Sequence, residues 1–190
     1  LLKILGGTAT FEKSVYLSNS GNTDESGSNK GTARLNIEGG TTTFKDAVHV
    51  SYTGASKTGG TAEMNLTGGT TTFAQKVYVG HGANTVGTVT IDLGAGNSVA
   101  FQDGLNIGAD AGSKGTLNVQ SGTVNWTGSS SIGNSGAGTV NLYGGEIRQT
   151  SNSVIYLGNG STAGNGTLNI SGGTFYAPSA DFIIGNNGAA

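Results

Sequence analysis

A hydrophobic-polar-hydrophobic triplet returns seven times along the chain and constrains the fold more tightly than any other feature. Its copies are Leu2-Lys3-Ile4, Leu35-Asn36-Ile37, Met64-Asn65-Leu66, Ile91-Asp92-Leu93, Leu117-Asn118-Val119, Val140-Asn141-Leu142 and Leu168-Asn169-Ile170, spaced 33, 29, 27, 26, 23 and 28 residues apart. A glycine-rich turn, a Thr-rich segment and a second triplet follow at nearly fixed register. A unit of this length buries its apolar side only by stacking on its neighbours, which marks a solenoid.

The segments after the turn include Thr8-Ala9-Thr10-Phe11, Thr41-Thr42-Thr43-Phe44, Thr70-Thr71-Thr72-Phe73 and Ser98-Val99-Ala100-Phe101. Strand alternation puts their second and fourth residues on one face. Val124 with Trp126, and Phe175 with Ala177, fill the same two positions. Phe11, Phe44, Phe73, Phe101 and Trp126 are therefore expected to form a stacked aromatic column in the core, interrupted at Gln149, which then needs a hydrogen-bond partner.

The second triplets are Val15-Tyr16-Leu17, Val48-His49-Val50, Val77-Tyr78-Val79, Leu105-Asn106-Ile107, Ser130-Ser131-Ile132, Ile155-Tyr156-Leu157 and Phe182-Ile183-Ile184. Three short strands per repeat, separated by Gly, Asn and Ser corners, describe an all-β parallel β-helix. The expectation is one domain over 1–190, with about seven coils and a length of about 34 Å at ~4.8 Å per coil. The triplets are too short and too β-branched for helix. Length varies at the corner after the third strand, most of all from Ser18 to Gly31, where a solenoid tolerates insertions and often places contacts.

Composition narrows the function classes. The 36 glycines among 190 residues are far above the usual ~7%, yet regularly placed Val, Ile, Leu and Phe supply a core. A net charge of −2 with only 11% charged residues offers nucleic acid no electrostatic handle. No apolar run reaches the ~20 residues of a membrane helix. Absence of cysteine excludes disulfides and Cys-based zinc sites. The start at Leu1 and the loop-like end at Ala190 read as a processed chain or a segment of a longer one.

The recurrent Gly-Thr-Leu-Asn-Val/Ile of Gly115 to Val119 and Gly166 to Ile170, followed by Ser121-Gly122-Thr123 or Ser171-Gly172-Gly173-Thr174, resembles the repeats of bacterial autotransporter passenger domains. The resemblance covers nearly the whole chain and implies a right-handed β-helix. It also implies an extracellular or cell-surface location and use as an adhesin, a stalk or a self-associating fibre subunit. The implied partners are further copies, end to end or side by side, or a host or surface ligand.

Three outward-facing sets are candidate sites. The pairs Thr8/Thr10, Thr41/Thr43 and Thr70/Thr72 resemble the flat threonine arrays of β-solenoid ice-binding proteins, although the array decays to Ser98/Ala100, Thr123/Asn125, Glu146/Arg148 and Thr174/Tyr176. Asn36, Asn65, Asn118, Asn141 and Asn169, with Lys3 and Asp92 in the same slot, are expected to form an amide ladder. Tyr16, His49, Tyr78 and Tyr156 occupy the middle of the third strand, with His81 just beyond, and are expected to stack across strands.

No catalytic, cofactor or metal site is expected. His49 and His81 with Asp46 and Asp110 make a weak ligand set, and Asp24-Glu25 lacks the calcium-binding repeat. A polysaccharide-active β-helix enzyme, the remaining alternative, needs clustered carboxylates. Here the acids are dispersed, and Glu146 with Arg148 reads as a surface ion pair. Sequons begin at Asn65, Asn125, Asn159, Asn165 and Asn169, a number expected by chance in so Asn-, Ser- and Thr-rich a chain.

Overall fold

The computed structural model describes residues 1–19, 31–54, 59–160 and 164–186. Among the described residues twenty-one strands follow one another, and each of the first eighteen pairs in parallel with the strand three positions later, giving three seven-stranded sheets. The chain is thus a three-sided parallel β-solenoid. Each coil contributes one strand to each sheet, as in Thr61–Leu66, Thr70–Phe73 and Val77–His81.

The buried stack runs through about five turns rather than seven. In the interior coils Leu35, Ile37, Phe44, Phe73, Val89, Ile107, Val140 and Ile147 are completely buried. The first and last rungs are covered on one side only, which leaves Leu2 46%, Ile170 53% and Ile184 73% exposed.

Phe11, Phe44, Phe73 and Phe101 stack at centroid separations of 4.8, 4.9 and 4.9 Å with rings within 7° of parallel. The spacing is that of the strands themselves, so backbone register sets the ring geometry. Trp126 lies in register with Phe101 and is fully buried. Its ring meets Phe175 edge-on at 6.4 Å. The next residue in the column, Gln149, is buried and donates through Nε2 to the Gly128 carbonyl at 3.1 Å.

One expected register fails. Met64 and Leu66 pair with Val89 and Ile91, so Thr90, not Asp92, sits between Asn65 and Asn118. Val89, Ile91 and Leu93 alternate in the sequence and all three are buried, and a slip of two residues preserves alternation, so pattern alone cannot choose between the registers. A bulge after Ile91 then carries Asp92 to Ser121, whose hydroxyl donates to Asp92 Oδ1 at 2.7 Å.

The corner after each third-sheet triplet turns through a left-handed residue, Ser51 (φ 64°) in the second coil and Gly108 (φ 68°) in the fourth. L-residues adopt this region at a cost. Ser51 is held there by its hydroxyl, which donates to the Gly60 carbonyl at 2.6 Å. The Gly108 carbonyl accepts from the amides of Asn134, Ser135 and Gly136 at 3.0, 3.3 and 3.0 Å.

Candidate functional site

The densest group of chemically active side chains lies on the outer face of the third sheet. Alternation turns the middle residue of each triplet outward, and register sets Tyr16 beside His49 and His49 beside Tyr78. Their rings stack face to face at 4.6 and 4.8 Å, within 3° of parallel. Past the left-handed corner, Tyr52 pairs with His81. Tyr52 meets Tyr16, His49 and His81 edge-on at 5.1, 5.3 and 5.1 Å. Enclosed in this way, His49 is only 6% exposed although it faces outward.

The two imidazoles touch directly, His49 Nδ1 to His81 Nδ1 at 2.7 Å. At that distance one nitrogen donates and the other accepts. His81 Nε2 lies 3.6 Å from Asp110 Oδ2, which also accepts from the Gly82 amide at 2.7 Å. Burial, reinforced by repulsion from His81 and opposed by Asp46, pushes His49 down to about 4. Burial lowers His81 as well, against the attraction of Asp110. Burial raises Tyr78, helped by Asp103 and Asp110.

Asp46 does not join the histidines. Its carboxylate accepts from the Ala47 amide at 2.8 Å and the Ser14 hydroxyl at 2.9 Å, contacts that hold it below the usual carboxylate range. Among the described residues no three His, Asp or Glu side chains are placed to hold a metal ion. Tyr156 stands apart, separated from Tyr78 in the ladder by Asn106 and Ser131. Tyr52 joins the cluster although the triplet pattern does not reach it. Asp24 and Glu25 lie outside the described residues.

On the second sheet, Thr8, Thr41 and Thr70 lie in one register row and Thr10, Thr43 and Thr72 in another. Rungs about 4.8 Å apart and residues about 6.7 Å apart along each strand give a flat grid. Thr43 and Thr72 are half-buried and the other four exposed. Glu146 and Arg148 are paired at 3.5 Å, with the guanidinium 5.4 Å from the centroid of Tyr176.

On the first sheet, Asn65 Nδ2 donates to Asn36 Oδ1 at 3.1 Å, Asn141 to Asn118 at 2.8 Å and Asn169 to Asn141 at 2.8 Å. Thr90 divides this ladder. Beside it runs a threonine row, Thr88, Thr116, Thr139 and Thr167, which the recurring Gly-Thr dipeptide foreshadows. A second amide ladder joins Asn186 to Asn159 at 2.7 Å and Asn159 to Asn134 at 3.1 Å at the third corner.

Comparison with family models, with curated proteins and with solved structures returns no significant match. The architecture stands on the strand pairing alone.

Proposed function

We propose that the chain is a non-enzymatic, extracellular structural and adhesive β-solenoid, serving as an adhesin stalk or a self-associating surface fibre subunit. The observation that supports this most directly is the continuity of register. Each sheet carries seven parallel strands, with one bulge after Ile91, and among the described residues the outermost strands of each sheet pair on one side only. Such edges accept a further rung of the same kind, from the same polypeptide or from another copy.

The test is sedimentation velocity with electron microscopy over a range of concentrations. Unbranched rods lengthening in steps of about 34 Å, seven strand spacings of ~4.8 Å, support self-association. A monomer at every concentration discards the fibre and leaves the stalk. The stalk reading requires a rod that stays folded under pulling load, and uncoiling at low force removes it.

A second reading, ice binding, is favoured by the six in-register threonines of the second sheet. Thermal hysteresis that disappears in Thr43→Lys and Thr72→Lys supports it. Absence of hysteresis in the unaltered protein refutes it.

A further inference from the structure

We propose that His49 and His81, enclosed by Tyr16, Tyr52 and Tyr78, form an acid-released clasp on the outer face of the third sheet. Tyr16, His49 and Tyr78 belong to three successive coils, so their stack ties those coils together outside the core. Tyr52 and His81, from the second and third coils, close the group laterally. The faces of the middle ring, His49, are consumed by its two neighbours, while Tyr16 at the end of the stack is 44% exposed.

The 2.7 Å contact between the two Nδ1 atoms has room for one proton between them. Two neutral imidazoles satisfy it, one as donor and one as acceptor. A first added proton still leaves a donor facing a lone pair. With both rings cationic, each Nδ1 carries hydrogen, and two N–H groups point at each other between like charges. The contact must then open, and the stack that contains His49 opens with it.

The charged groups around the cluster fix the order of events. Asp110, on the chain beyond the third-sheet strand Leu105–Ile107, faces His81 and favours its charge first. Asp46 precedes the His49 strand and attracts the His49 charge, but its carboxylate is engaged by Ala47 and Ser14, with Lys13 nearby. Asp103 acts on Tyr78. Burial raises the Tyr78 hydroxyl, away from the acid range. His49 therefore protonates last, and its protonation releases the clasp. Opening uncovers the ring faces now stacked between Tyr16, His49 and Tyr78, adding aromatic contact area in acid to that which Tyr16 already shows.

The experiment is an NMR titration of the whole chain from pH 7.5 to 3, following the imidazole C–H and tyrosine ring resonances, with far-UV circular dichroism in parallel. The expected result is a His81 step first. A His49 step near pH 4 then coincides with loss of the upfield ring-current shifts of Tyr16 and Tyr78 while the circular dichroism stays constant. In His49→Phe, which keeps a ring in the stack without a titrating group, the Tyr16 resonances should stay flat over the same range, while Tyr52 and Tyr78, which touch His81, still follow the His81 step. The proposal is overturned if His49 titrates while Tyr16 does not move, or if the Tyr16 change persists in His49→Phe. It is equally overturned if the circular dichroism collapses in the same step, which makes the event global unfolding. Should His49→Phe fail to fold, the titration of the unaltered chain decides by itself.

Discussion

Replacing Thr71 by valine should make the protein more stable. Register places Ala9, Thr42, Thr71, Val99, Val124, Ile147 and Phe175 in one inward row of the second sheet. Thr42 and Thr71 are 0% and 1% exposed, and neither Oγ1 has a hydrogen-bond partner. An unpaired buried hydroxyl costs about 1–3 kcal/mol. Valine has nearly the same shape and the same preference for strands, and the methyl that replaces the hydroxyl lies against an apolar column. Thr71→Val should therefore raise stability by about 1–3 kcal/mol, with Thr42→Val similar. The two residues are neighbours in that row, so the double variant need not show the sum. Equilibrium urea unfolding followed by circular dichroism reads this as a higher midpoint at constant slope. Thr72→Val, which changes an outward residue, should stay within about 0.5 kcal/mol of the unaltered protein. A lower midpoint for Thr71→Val would mean that the hydroxyl is satisfied in the core, and the reasoning would fail.

Gly108→Ala and Gly96→Ala separate backbone conformation from crowding. Both glycines have positive φ, but a Cβ at Gly108 meets the Ala137 carbonyl oxygen at 2.4 Å, whereas one at Gly96 meets nothing within 4 Å. Gly96→Ala should cost about 1–2 kcal/mol, and Gly108→Ala a further 1–3 kcal/mol or so; equal urea midpoints would refute the difference. Phe73→Ala, in the middle of the ring column, should lose about 3–5 kcal/mol, checked by the same unfolding measurement. The lowered His49 gives a pH dependence of defined sign. The unfolded chain binds the proton more readily than the folded one, so this contribution is complete above about 6.5 and is lost as pH falls from there to about 4. Urea midpoints across that window should decline in the unaltered protein and decline less in His49→Phe.

The path from residues to fold was short where chemistry and periodicity agreed. Phenylalanine recurs at one position of four successive repeats, and a strand period of two allows only one placement for it, so the ring column was legible in advance. The fourth coil was not, because Val89, Ile91 and Leu93 offer two registers that bury the same face. Trp126 falls in the expected slot but turns toward Phe175, since the polar Gln149 occupies the place where another ring would have met it. The histidine contact was only half legible. The triplets align His49 with Tyr16 and Tyr78, but the turn at Ser51 and Gly80, which swings Tyr52 and His81 back against them, is a property of backbone dihedrals that residue spacing does not reveal.

The asparagine ladders give the rod a direction. In all five bonds the amide nitrogen belongs to the later coil and the oxygen to the earlier one, so the side-chain dipoles add along the axis. An added rung continues these rows only by presenting donors to acceptors in the same sense. Two such rods meeting with like ends together would set oxygen against oxygen or nitrogen against nitrogen. Any lengthening of this solenoid is therefore polar, with one end chemically distinct from the other.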